Sequence, residues 1–275
     1  MNSFDITKEK TSVSVTPLRM AQWTVDKMIA KTSVRLQAML YSQNLSPEEF
    51  EHLCLIRMIE QSAYSKVRNI TELYGDADEV SAPRFASYNV NHYLNSVTSH
   101  ILKLTEGDNI EIIVSCDSGC KNAVFDLRRV GIVLYNLISN SIIHNKYKHK
   151  IISIRALLRG NDFVISVTDN GKGIAPNIRR TMFSAYENKP DPRSASIIDS
   201  GLVLGGLGLS VCRKVAKDMD GDVFYVPTKG SGTTFEFVIP QNNRQSLLGD
   251  SIIANPDFEE LEIFLASALL HLKGY

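Results

Sequence analysis

In the first quarter of the chain, apolar positions recur every three or four residues. Leu18, Ala21, Val25, Met28, Ile29, Leu36, Met39 and Leu40 form one stripe, the pattern of an amphipathic helix. The stripe breaks at Ser42-Gln43-Asn44-Leu45. Ser46-Pro47-Glu48-Glu49 then reads as a new helix start, with Ser at the cap, Pro at the first helical position and Glu three residues after the cap. A second stripe runs through Phe50, Leu53, Ile56, Ala63, Val67, Ile70 and Leu73, and residues 75–78 end it. Two such helices on a short loop predict an antiparallel hairpin over residues 18–75. A hairpin cannot bury both stripes alone. Either two copies pair into a four-helix bundle, which is the favoured reading, or the hairpin packs on the rest of its own chain.

From residue 84 the pattern changes to short β-branched runs alternating with helical stripes. Strands are expected at 84–89, 109–115, 123–125, 151–158, 163–168, 223–227 and 234–239. Helices are expected at 90–104, from Asp126 as cap through Ile138 and beyond, and from a glycine-rich turn after Gly201 to Met219. The strand pairs are hairpin-like, so the fold class is α+β: a sandwich with helices on one face of a mixed sheet, over residues 84–240. Residues 187–204 have no sustained period and read as a long functional loop. Residues 1–17 form an N-terminal segment. In the tail, 241–275, a polar linker leads to a short helix at 258–272, expected to dock on the domain or on a partner.

Thirty basic and thirty acidic residues cancel, so no net field draws the chain to nucleic acid or an anionic surface. No apolar run approaches the roughly 20 residues needed to span a bilayer, and the N-terminus has no apolar core of a secretory signal. A cytoplasmic protein is expected. Cys54, Cys116, Cys120 and Cys212 are scattered; Cys116 and Cys120 flank a turn with no second pair of soft ligands nearby. Reduced thiols are the reading there, rather than a metal site.

Candidate chemistry begins at Asp169-Asn170-Gly171-Lys172-Gly173-Ile174, which follows a predicted strand. A carboxylate at a strand end can accept a hydrogen bond from the amino group of a flat heterocycle, and the glycines let backbone approach it. Alone, this is equally a surface Asn-Gly turn. Asn136, Asn140 and His144 fall at i, i+4 and i+8 on the helix before it, one polar row on an apolar helix. Such a row suits a magnesium–phosphate unit, since Mg²⁺ takes one or two protein oxygens beside phosphates; a solvated stripe is the alternative, nearly as good for Asn136. Gly205-Gly206-Leu207-Gly208-Leu209-Ser210 leads into a helix and presents backbone N–H groups to an anion. Gly230-Ser231-Gly232-Thr233-Thr234-Phe235 turns into the last strand.

In this order, the four segments resemble the N, G1, G2 and G3 boxes of the ATP-binding domain of sensor histidine kinases, the GHKL or Bergerat-type fold, with Phe183 at the F-box position. The resemblance covers residues 84–240. It implies that Asp169 binds the adenine amino group, with Thr233 nearby, and that Asn140 coordinates Mg²⁺, with Asn136 as a weaker second ligand. Gly171, Gly173 and Ile174 would shape the pocket, Gly206, Leu207 and Gly208 would hold phosphates beneath a 187–204 lid, and His144 would touch the nucleotide or simply pack. Ile143 and Leu204 depart from the family, which often has Lys and Gly there, and this thins the phosphate side.

The resemblance further implies a homodimer through residues 18–75 and a response regulator or other phosphotransfer protein as partner. The family's first hairpin helix carries a phosphoacceptor His next to an acidic residue. Here that helix has no His, and His52, beside Glu51 on the second helix, is a weak substitute. Two readings stay open: a Mg·ATP-dependent kinase whose acceptor lies elsewhere, and an ATP-binding adaptor without transfer. A GHKL ATPase of the chaperone or topoisomerase type is disfavoured, because its water-activating Glu is replaced by Asn136 and Asn140.

Overall fold

The computed structural model describes residues 17–42, 45–74, 82–184, 207–228, 230–242, 244–248 and 251–274. The 187–204 loop, Gly206 and the N-terminal residues 1–16 lie outside them.

Helices α1 (Pro17–Leu40) and α2 (Pro47–Tyr74) form the hairpin. The start of α2 is fixed by a reciprocal cap: the Glu49 N–H donates to Ser46 Oγ at 3.2 Å, and the Ser46 N–H donates to the Glu49 carboxylate at 2.8 Å. Val25, Ile29, Leu36 and Leu40 of α1 are half-buried, while Met20, Trp23, Met28, Val34 and Met39 remain exposed. The apolar surface of α1 is therefore wider than the hairpin covers.

The second region runs β1 (Ala86–Asn89), α3 (Val90–Leu104), β2 (Ile110–Cys116), β3 (Asn122–Phe125), α4 (Leu127–Ile143), β4 (Lys150–Arg159), β5 (Asp162–Asp169), α5 (Pro176–Arg179), α6 (Gly208–Lys217), β6 (Asp222–Val226), β7 (Thr233–Pro240) and α7 (Phe258–Leu272). Five strands form a mixed sheet in the order β2-β4-β5-β7-β6; β2 lies parallel to β4 and the other pairs are antiparallel. β1 and β3 make a separate antiparallel pair. Alternation along the strands is clean. Ile152, Ile154, Ile165, Val167, Phe235 and Phe237 point into the core with α3, α4 and α6, while Arg159 pairs with Glu236 at 2.7 Å on the other face.

Several boundaries moved for local reasons. The first strand begins at Ala86 because the Arg84 N–H donates to Asp126 Oδ2 at 2.7 Å, the same carboxylate that caps α4 through the Arg129 N–H at 3.0 Å. β5 extends through Asp169, paired across the sheet with Thr233, so this carboxylate belongs to the strand itself. α6 stops at Lys217, before Asp220 in left-handed backbone with φ of 60°. Short α5 starts on Pro176 and has no periodic signal.

The tail docks on its own domain. Asp257 caps α7 by accepting the Glu260 N–H at 3.0 Å, and Leu261, Phe264, Leu265 and Ala268 join the main core beside Tyr93 and Tyr135. The hairpin also packs on its own chain: α2 lies against α7 and α6.

Candidate functional site

The ends of β5 and β7 bring Asp169 and Thr233 side by side. Asp169 Oδ1 accepts the Gly171 N–H at 2.8 Å and the Thr233 N–H at 3.3 Å. The hydroxyls of Thr233 and of Ser141, on α4, lie near enough to this carboxylate to favour its charged form. Burial holds the carboxyl above its ordinary range, and these donors pull it partly back. The result is an acceptor held in place from several sides.

Asn170 does a different job. Its Oδ1 accepts from Asn145 Nδ2 at 2.6 Å and from the Ile151 N–H at 2.9 Å, and its Nδ2 donates to the His149 carbonyl at 3.2 Å. Asn145 in turn receives the Lys150 ammonium at its carbonyl. This mesh ties the loop after α4 to the end of β5 and fixes the rim of the site. Gly173 follows at φ of 77°, where a side chain would be strained, with the Gly232 carbonyl 3.1 Å from where its Cβ would stand.

The second half of the site is the meeting of α4 and α6. Asn136 is buried; its Nδ2 donates to the Ile132 carbonyl at 2.8 Å, and its oxygen faces the start of α6. A Cβ on Gly208 would stand 2.9 Å from that oxygen and 3.8 Å from Asn140 Nδ2. Leu207, buried, occupies the N-cap position of α6 without a side-chain cap bond. The backbone at the positive end of this ten-residue helix thus opens beside half-buried Asn140. Asn136 thus packs against the start of α6 through its oxygen, with half-buried Asn140 beside it.

The remaining sequence candidates sit around these two halves. Half-buried Ile174 packs against the core, and its carbonyl accepts from Arg179 Nε at 2.8 Å. Phe183 meets Phe235 edge-on at 6.1 Å, with the Arg213 guanidinium 3.9 Å over its ring. His144 caps the end of α4, its N–H donating to the Asn140 carbonyl at 2.9 Å. The residue reaches solvent, yet desolvation of its ring by the surrounding chain, then Lys146 and His271, hold the imidazole below its ordinary value. His52 lies on a different element, in an exposed row of α2 with Ile56, Ile59 and Ala63.

Three residues at the site were not among the sequence candidates: Ser141, Asn145 and Asn170. Ser141 follows Asn140 directly, and Asn170 lies inside the Asp-Asn-Gly motif, so both had a signal of position. Asn145 had none, because its role depends on a contact across 25 residues.

A mixed sheet with helices on one face, an acid at a strand end and glycine turns around it defines a GHKL-type ATPase domain. The sequence profile described as histidine kinase-, DNA gyrase B-, and HSP90-like ATPase matches residues 125–243. The sensor-like histidine kinase SenX3 of Mycobacterium tuberculosis is 32% identical over 134 residues, 48% of this chain and 31% of SenX3. The adaptive-response sensory kinase SasA of Synechococcus sp. (strain CC9902) is 28% identical over 232 residues, 81% of this chain and 56% of SasA. Among solved structures, the histidine kinase AdeS of Acinetobacter baumannii shares the fold, with a TM-score of 0.54 at 18% identity over 81% of this chain and 98% of that one. The chain thus spans about a third to a little over half of these curated relatives. Residues 125–243 match the ATPase domain of that profile, and the chain is similar to sensor histidine kinases over part of their length.

Proposed function

We propose that this chain binds Mg·ATP at the Asp169–Gly208 site for phosphoryl transfer in two-component signalling. The carrying observation is Asp169. Both backbone donors fall on its Oδ1, which leaves the carboxylate able to accept from an adenine amino group. Thr233, Gly171, Gly173 and Ile174 form the surrounding wall. Asn140 would offer one amide oxygen to a magnesium ion bound with the phosphates, an oxygen ligand that suits this hard cation. The α6 N-terminus, with Gly206, Leu207 and Gly208, takes the phosphates, and the close approach at Gly208 is the space a side chain would fill. When bound, Mg·ATP supplies the γ-phosphoryl group; what the chain contributes is position and charge neutralisation.

The proposed partners are a second copy, through residues 18–75, and a response regulator or other phosphotransfer protein. A cytoplasmic location is proposed with them. Among the described residues no helix is long and apolar enough to cross a membrane.

Calorimetric titration of Mg·ATP tests the pocket. Asp169→Asn should lose roughly 10- to 100-fold in affinity, the range of a charge-assisted hydrogen bond; unchanged affinity overturns the assignment. Incubation with γ-labelled ATP and mapping of acid-labile phosphate then tests transfer. Label on His52 or on an added partner supports the kinase. Tight binding with no label on either selects the adaptor reading instead.

A further inference from the structure

Charge is matched over the whole chain, thirty basic residues against thirty acidic, yet it is unevenly placed around the candidate site. Two segments flank Asp169: residues 144–150, which leave the end of α4, and residues 170–184, which leave the end of β5. Together they hold Lys146, Lys148, Lys150, Lys172, Arg179 and Arg180, and no Asp or Glu. A solvated face ordinarily mixes the two signs. This rim carries one.

Two of the six cations are spent on the fold. The Lys150 ammonium is turned under its own loop, donating to the carbonyls of Asn145 and, at 3.2 Å, Tyr147. Arg179 donates to the Ile174 carbonyl and lies over the Tyr225 ring. Lys146, Lys148, Lys172 and Arg180 are exposed, and none has a carboxylate at ion-pair distance among the described residues. Glu111 of β2 approaches the first segment, but its partner there is His149, at 3.6 Å. The negative end of α4 accounts for a cation just past Ile143; it does not account for Lys172 and Arg180 on the other segment.

The first segment is also held in place. Its Asn145 side chain bonds to Asn170 and accepts the Tyr147 N–H at 3.0 Å, and the His149 carbonyl accepts from Asn170. His144 follows Asn140 by one helical turn, about 6 Å, and Lys146 lies two residues further, at most about 7 Å of chain. Its charge is thus felt at the site at about 0.1 M salt, where the screening length is about 10 Å.

We propose that Lys146, Lys148, Lys172 and Arg180 steer polyphosphate nucleotides into the site, drawing the incoming phosphates to the rim without holding them once bound. This rests on the ATP reading above. The property recognised is the multiple negative charge of a nucleoside di- or triphosphate, which Mg·ATP retains in part. An uncharged nucleoside gains nothing from it. Rim charges of this kind act on association and its salt dependence rather than on dissociation.

The experiment is stopped-flow binding of a fluorescent ATP analogue with Mg²⁺ to the full chain, displaceable by unlabelled ATP, from about 0.02 M to about 1 M salt. At low salt the Lys146→Gln, Lys148→Gln, Arg180→Gln variant should associate about tenfold more slowly than the parent, with dissociation unchanged. Lys146→Glu with Lys148→Glu should be slower still. The differences should close at about 1 M salt, where the screening length is about 3 Å. The same fluorophore on adenosine should bind parent and variants at equal rates, which separates lost steering from a damaged pocket. Equal association rates at low salt, a loss carried by dissociation, or an equal loss for adenosine would overturn the steering alone. A parent chain that takes up no analogue would overturn the pocket and the steering with it.

Discussion

Asp169 carries two opposite dependences on pH. Burial raises its folded-state pKa above the unfolded value, so the ionised form is the costly one in the free protein. Its stabilising contribution is full below the unfolded pKa and is lost as pH rises through the folded one. Asp169→Asn should therefore melt higher than the parent at neutral pH, with the difference vanishing as pH falls below the ordinary carboxylate range; thermal melts across pH check this. Nucleotide affinity should run the other way. The carboxylate is the better acceptor, so affinity should fall as pH drops through a midpoint above the ordinary Asp value. An affinity profile flat down to pH 4 would sink the proposed role. A gain in stability with a loss of binding is what a strained functional group predicts.

At the scale of elements, the contact between α4 and α6 is the sensitive one. Asn136 is held by its amide bond to Ile132 and cannot swing aside freely, so a methyl group at position 208 must push α6 away from Asn140. Gly208→Ala is expected to weaken Mg·ATP binding about 3- to 10-fold, the worth of one hydrogen bond, with the fold retained in circular dichroism. Much of this level was legible in the sequence. The Ser46–Glu49 cap, the Asp126 cap and the shared face of Asn136 and Asn140 depend on spacings of three and four residues, which a helix turns directly into contact. The strand-end position of Asp169 followed from alternation. The Asn145–Asn170 bond was not legible, because it joins segments whose approach is set by the sheet. The double-sided burial of α7 was hidden for another reason: a short apolar helix reads the same whether its own domain or a partner covers it.

At the scale of the whole molecule, α2 and α1 have different fates. α2 is turned inward onto α7 and α6, and α1 presents Trp23, Met28 and Val34, the last 68% exposed, to solvent. Ile56 and Ile59 of α2 extend that surface. Exposed large apolar side chains on both hairpin helices suit an interface, and the proposed four-helix bundle would cover them. Val34→Glu with Ile56→Glu should shift the chain from dimer to monomer in sedimentation equilibrium while leaving ATP affinity unchanged. A parent chain that is monomeric throughout the micromolar range would remove the bundle. The docking of α7 bears on how the chain is made. Leu261, Phe264 and Leu265 complete a core whose other half, Tyr93, Leu134 and Tyr135, is synthesised more than a hundred residues earlier. During translation the outer flank of α4 stands bare until residues 258–272 have cleared the ribosome, so this ATPase domain closes late and its apolar flank is exposed to aggregation until then.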